Sequence, residues 1–219
     1  MENTKPQAPQ QGQNNEMPEE FMTAAKKNQR TMVVLATFLV VCAIAACVWI
    51  FVQQNGNAKA NEKIALADIE QNDSVATQLY AEAAKAGFKS GNRAKVEMGI
   101  RLFRQGKYEE AIKYLDDASI SDKVVASGVE ALKGDCYVNL EQYDKALSCF
   151  DKAISKADRN PQIVPLMLVK KANIYRAQEN YSAEAKAYKT IIDEYPQYVQ
   201  GSQTDIRKYY ERAEAQASK

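Results

Sequence analysis

The chain has 219 residues, 46% apolar and 26% charged, with 29 Lys+Arg against 28 Asp+Glu and a net charge of +1. That is ordinary globular composition without the basic surplus of a nucleic-acid binder, so no nucleic-acid partner is expected. Histidine is absent, which excludes Ser-His-Asp and Cys-His catalysis and every histidine-ligated metal. Only 9 Gly and 6 Pro argue against a turn-rich β fold.

Residues 1–16 (MENTKPQAPQQGQNNE) carry almost no large apolar groups and cannot bury enough surface to order themselves. Residues 1–17 are therefore expected to be a disordered tail. Pro18-Glu19-Glu20 has the makings of a helix first turn, with proline early and acids at the positive end of the dipole. A juxtamembrane helix over 18–31 is expected to run into the segment that follows.

Residues 32–52 read MVVLATFLVVCAIAACVWIFV, and no charge lies between Arg30 and Lys59. At about 1.5 Å per residue this run spans roughly 31 Å, the thickness of a bilayer core. Lys26, Lys27 and Arg30 precede it, and uncharged Gln53-Gln54-Asn55-Gly56-Asn57 follows. The positive-inside rule then predicts a cytoplasmic N-terminus and an extracytoplasmic remainder. Trp49 sits near the outer end, at headgroup depth. Ile44-Ala45-Ala46-Cys47 matches a lipoprotein cleavage box, but Val48–Val52 extends the apolar run past it. An uncleaved signal anchor is the expected state, and lipidation of Cys47 stays open.

Beyond residue 57 the apolar pattern is helical and repeats. Gly99, Leu102, Gly106, Tyr108, Ala111, Leu115 and Ala118 mark one unit. Gly134, Tyr137, Tyr143, Ala146, Phe150 and Ala153 mark the next, 35 residues on. Ala172, Tyr175, Tyr181, Tyr188 and Pro196 mark a third, 38 residues further, with the extra residues near Asp158-Arg159-Asn160-Pro161. Stepping the frame back by 35 gives Ala76, Tyr80 and Ala83, a degenerate first unit. Small residues let two antiparallel helices approach, and large ones fill the space beside them. One such hairpin cannot bury its apolar face, so neighbours must stack.

This pattern resembles the tetratricopeptide repeat (TPR), about 34 residues long. GIRLFRQGKYEEAIKYLDDA and GDCYVNLEQYDKALSCFDKA carry the likeness, and ANIYRAQENYSAEAKAYKTIIDEYP carries it more weakly. Glu184 stands where the other units have Ala111 and Ala146, and Glu141 and Glu179 replace the turn glycine. The resemblance implies an all-α protein: one transmembrane helix, a degenerate hairpin over 57–91, a TPR α-solenoid over 92–198 and a capping helix over 202–216. In that helix Ile206, Tyr209, Tyr210 and Ala213 are expected to seal the last hairpin. The layout, with DIRKYYERAEAQ and SDKVVASGVEALKGDCY, is similar to the Bacteroidetes-type ancillary subunit of the Sec translocon. That implies a scaffold or chaperone-adaptor on the periplasmic face of the inner membrane. Partners would be translocon subunits, chaperones or exported proteins. A structural scaffold for envelope or cell-division assembly, with self-association, is the alternative.

No catalytic constellation emerges, so no enzyme, cofactor or metal site is expected. Gly99…Gly106-Lys107 has the wrong spacing for a phosphate loop, and Tyr108 stands where Ser or Thr is needed. Cys136 and Cys149 are read as small buried groups on one hairpin, with a disulfide as the alternative in an oxidising compartment. In TPR arrays the first helices line a groove. The candidates there are Arg93, Val96, Ile100 and Phe103; then Ala131, Asp135 and Val138; then Val169, Asn173 and Arg176. Val96, Ile100 and Phe103 form an i, i+4, i+7 stripe, which suits either a client segment or packing on a neighbouring unit. Deleting residues 1–16 is expected to leave the helical unfolding transition of the remainder unchanged, as followed by circular dichroism.

Overall fold

The computed structural model describes residues 19–203 and 205–219; side chains are described from Asn28 onward, Thr204 excepted. The expected tail over 1–17, and Pro18, lie outside the described residues. The chain divides into two units, Met1–Val52 and Gln53–Lys219. Helix α1 (Glu19–Ile69) contributes to both.

In the first unit, every side chain from Asn28 to Val52 is exposed. Within the helical stretch Asn28–Ile69, an 18-residue window reaches a mean hydropathy of 2.8. It is long and apolar enough to cross a membrane. The hydroxyl of Thr37 donates to the carbonyl of Val34 at 2.9 Å. That polar group is therefore satisfied inside the helix, as an apolar solvent requires.

The second unit contains nine further helices among the described residues: α2 (Asp73–Ala84), α3 (Lys89–Arg104), α4 (Tyr108–Asp116), α5 (Lys123–Asn139), α6 (Tyr143–Ala157), α7 (Ile163–Ala177), α8 (Tyr181–Glu194), α9 (Pro196–Gly201) and α10 (Ile206–Ala217). No strand occurs among the described residues. Side-chain caps start several of them. Asn72 accepts from the amides of Ser74 and Val75, Asp122 from that of Val125 and Asn180 from that of Ala183. Each such cap contributes about 1 kcal/mol.

Each hairpin closes on a small residue set against a large one. A Cβ on Gly99 would stand 2.5 Å from Leu115, and one on Gly134 would stand 2.5 Å from the Phe150 ring. Ala172 and Tyr188 occupy the corresponding places in α7 and α8, and both are buried. The three turns are also alike. Gly106, Glu141 and Glu179 take positive φ values of 76°, 57° and 57°. The next amide in each turn, of Lys107, Gln142 or Asn180, donates back to Leu102, Tyr137 or Tyr175 at 2.8–2.9 Å. This is the left-handed helix ending that glycine favours. Glutamate adopts it at a cost on the order of 1 kcal/mol, and the backbone bonds hold it there.

Three apolar clusters run along the stack. The first joins Ile64 of α1 and Tyr80 of α2 to Met98, Leu102 and Ala111. The second centres on Phe150 and Met167, and the third on Tyr188, Ile191 and Ile206. The degenerate unit is held by polar contacts as well. Asn57 accepts from the Ser90 amide at 3.0 Å, and the Tyr80 hydroxyl donates to Asp68. Ala76, Tyr80 and Ala83 are all buried. Buried Ser127 is satisfied by the carbonyl of Ala153 at 2.8 Å.

Helix α4 stops at Asp116, short of the repeat position at Ala118. Lys95 takes the Asp117 carbonyl at 3.1 Å, and Asn92 accepts from the Ser119 amide at 3.1 Å. These two side chains of α3 draw the chain out of helical geometry. The last helix starts at Ile206, where Asp205 accepts from the Lys208 amide at 3.1 Å, rather than at residue 202.

Cys136 and Cys149 are both buried free thiols. Burial pushes the Cys136 thiol up to about 11, with the charge of Asp135 adding to the effect. Two outcomes are expected for this hairpin. At pH 8 the Cys136 thiolate fraction falls about a hundredfold below that of an ordinary thiol, so alkylation of both cysteines, read by peptide mapping, should wait on unfolding. A peptide pair joined by a disulfide would contradict the free-thiol geometry. Replacing fully buried Ala146 by Phe should cost about 1–3 kcal/mol through overpacking, measured by urea unfolding.

Candidate partner-binding clefts

The first helices of successive hairpins, α3, α5 and α7, present two clefts. One, of about 370 Å³, lies between α3 and the segment Ser119–Val125. Arg93 and Val96 line it, with Ile120 and Val125 opposite. Val125 is 45% exposed and its neighbour Val124 56%. Lys89 and Arg93 bring cations to this cleft, and Glu97 and Asp122 bring acids. Arg93 leans toward Asp68 at 3.7 Å, a long and solvated pair worth little.

The other cleft, of about 270 Å³, lies between α5 and α7. Asp135, Val138 and Asn173 line it, over a floor formed by Tyr143, Phe150 and Ile174. Lys170 donates to the Asp135 carboxylate at 2.7 Å and stands 5.8 Å from the Phe150 ring centre. This ion pair bridges two first helices at a half-buried position. It adds a charged element to an apolar floor.

Five of the ten residues expected in the groove thus line clefts: Arg93, Val96, Asp135, Val138 and Asn173. The other five do not. Phe103 packs against the first apolar cluster, with the Tyr108 ring edge-on at 5.6 Å. Ala131 packs against the Phe150 cluster, and Val169 against the Tyr188 cluster. Ile100 is half-buried and Arg176 exposed, and neither lines either of these two clefts. A helical stripe shows which residues share a face, but not how deeply the neighbouring helix overlaps that face.

Sequence reasoning missed Lys170, Ile120 and Val125. Asp122 followed by Val124-Val125 was the available signal for the last, since a helix cap followed by two valines on a first turn has no hairpin partner to cover it. Lys170 had no such signal, because its pairing depends on the offset between α5 and α7.

Two overlapping stretches, 96–161 and 131–199, match the family model described as tetratricopeptide repeat. The human protein O-mannosyl-transferase TMTC1 is 26% identical over 150 residues, covering 63% of this chain. The chain spans only 17% of that relative's length. Among solved structures, aspartyl phosphate phosphatase F from Bacillus subtilis aligns with a TM-score of 0.49 at 16% identity. That alignment covers 77% of this chain and 50% of the phosphatase chain. The helix hairpins within residues 96–199 are thus similar to tetratricopeptide repeats.

Proposed function

We propose that this chain is a membrane-tethered scaffold whose repeats hold a segment of a partner protein. The observation that carries the reading is the pair of clefts on the first helices, each combining an apolar wall with charged groups. Such a surface suits an extended or helical peptide that inserts one apolar side chain and offers charge beside it. The apolar stretch of α1 supplies the tether. Lys26, Lys27 and Arg30 before it, and the uncharged stretch after it, support a cytoplasmic N-terminus and repeats on the periplasmic face. Tethering raises the effective concentration of clefts near partners in the same membrane, so weak affinity suffices.

Within that reading, the chain acts as a chaperone-adaptor for exported proteins near the Sec translocon. The support is the resemblance of layout noted from the sequence. We read it as a binding module and not a catalyst, because no histidine is present, both clefts have apolar walls, and the one between α5 and α7 holds an ion pair. The transferase activity named for the human relative is not carried over, since the match covers 17% of that protein.

Photo-crosslinking probes at Val96 and Asn173 in the native cell test this reading, with a probe at Phe103 for comparison. Translocon subunits or exported chains should be recovered from the first two and much less from the third. Equal yields at Phe103 would remove the clefts as the contact surface. Recovery of envelope-assembly proteins alone would replace the adaptor role with a structural one.

A further inference from the structure

Helix α5 carries an interior glycine that the packing of this chain does not use. Glycine is the poorest helix former after proline, so a glycine inside a helix calls for a reason. At Gly56, Gly99 and Gly134 the reason is a close approach: a Cβ there would stand 2.5 Å from the side chain of Phe88, Leu115 or Phe150. Gly128 lies inside α5, more than a turn from either end. It is exposed, and a Cβ there would meet nothing within 4 Å. Its φ is not positive either, unlike those of Gly87 and Gly106.

The surface beside Gly128 is apolar. Val124 and Val125, 56% and 45% exposed, lie one turn before it on the same face of α5. Val125 also walls the cleft of about 370 Å³, together with Val96 and Ile120. A bare stretch of helix next to that wall leaves room for a second backbone to lie against α5 while one of its side chains enters the cleft.

The charges at the cleft are unevenly answered. Of its acids, Asp122 already caps its own helix by accepting from the Val125 amide at 2.9 Å. Glu97 stands one turn from both Arg93 and Arg101 on α3, whose charges offset it. Lys89 has no ion-pair partner among the described residues. Arg93 has only its long, solvated pair with Asp68. The charge left over at the mouth of the cleft is therefore positive, and it favours an incoming carboxylate over an incoming cation.

We propose that Gly128 is the point where the backbone of a partner segment crosses α5, and that the segment carries a large apolar side chain flanked by carboxylates. The side chain enters between Val96 and Val125, and the carboxylates meet Lys89 and Arg93. This rests on the scaffold reading above and adds the sign of the partner's charge and the residue that admits its backbone.

The test pans a displayed library of random peptides on the full-length chain in lipid nanodiscs, after removing binders of empty nanodiscs. Enriched peptides should carry an aliphatic or aromatic residue with Asp or Glu close by. Lys89→Glu combined with Arg93→Glu should weaken them by about tenfold or more. Gly128→Leu separates binding from folding. It should raise the urea midpoint, because leucine is the better helix former, yet weaken the same peptides by about tenfold through overpacking. Enriched peptides without acids, or equal affinity for either variant, would overturn the proposal. A lowered urea midpoint for Gly128→Leu would show that the chain itself needs the glycine and would also overturn it. If no peptide is enriched, this inference fails alone, and the scaffold reading is still decided by the crosslinks from Val96 and Asn173.

Discussion

The structure depends on the close approach of two helices within each hairpin. Gly99 against Leu115 and Gly134 against Phe150 leave no room for even one added carbon. The glycine in each case gives up helix propensity on the order of 1 kcal/mol. In return a large side chain is buried where a β-carbon would otherwise stand, contributing roughly 1.5–3 kcal/mol. The third hairpin makes the same contact with Ala172 and Tyr188, and the rest of the stack follows from that spacing. Once two helices sit this close, the turn between them must reverse within a few residues. Hence the left-handed residue at Gly106, Glu141 and Glu179.

The same closeness explains how a weakly patterned first unit still folds. Its apolar content is modest, but Ile64, Tyr80 and Ala83 join a cluster that also contains Met98 and Leu102. The Arg101 guanidinium lies 4.9 Å from the Tyr80 ring centre and pairs with Asp73. A long α1 thus delivers its last turns to the repeats as part of a packed element. The opposite end uses another solution. There a buried glutamate, Glu184, stands where the other units have a small residue, and the half-exposed Arg212 of α10 pairs with it.

The clefts lie between neighbouring repeats, so they depend on how one hairpin is offset from the next. Lys170 meets Asp135 across that offset, and Val125 faces Val96 across the other. Neither pair follows from the repeat length alone. The irregular exit from α4, drawn by Asn92 and Lys95, is what brings Ile120 and Val125 alongside α3.

The all-α class, the three-fold recurrence of the hairpin and the apolar stretch at 32–52 were legible in the residues themselves. Each is a local property: a helical period, a small-to-large spacing, or a run without charge. Ala76, Tyr80 and Ala83 were legible for the same reason, since a shift by the repeat length finds them. Phe103, Ala131 and Val169, expected on the groove face, are half-buried residues packed against the apolar clusters. Period places a side chain on a face, whereas burial depends on the depth to which the adjoining unit overlaps it. The fate of Glu184 was equally out of reach: it broke the pattern in the sequence, and only the docking of α10 supplied the arginine that makes a buried carboxylate tolerable there. Contacts between residues of one hairpin are written in the sequence by spacing, but contacts between elements far apart in the chain are decided by packing angles and offsets that no local pattern encodes.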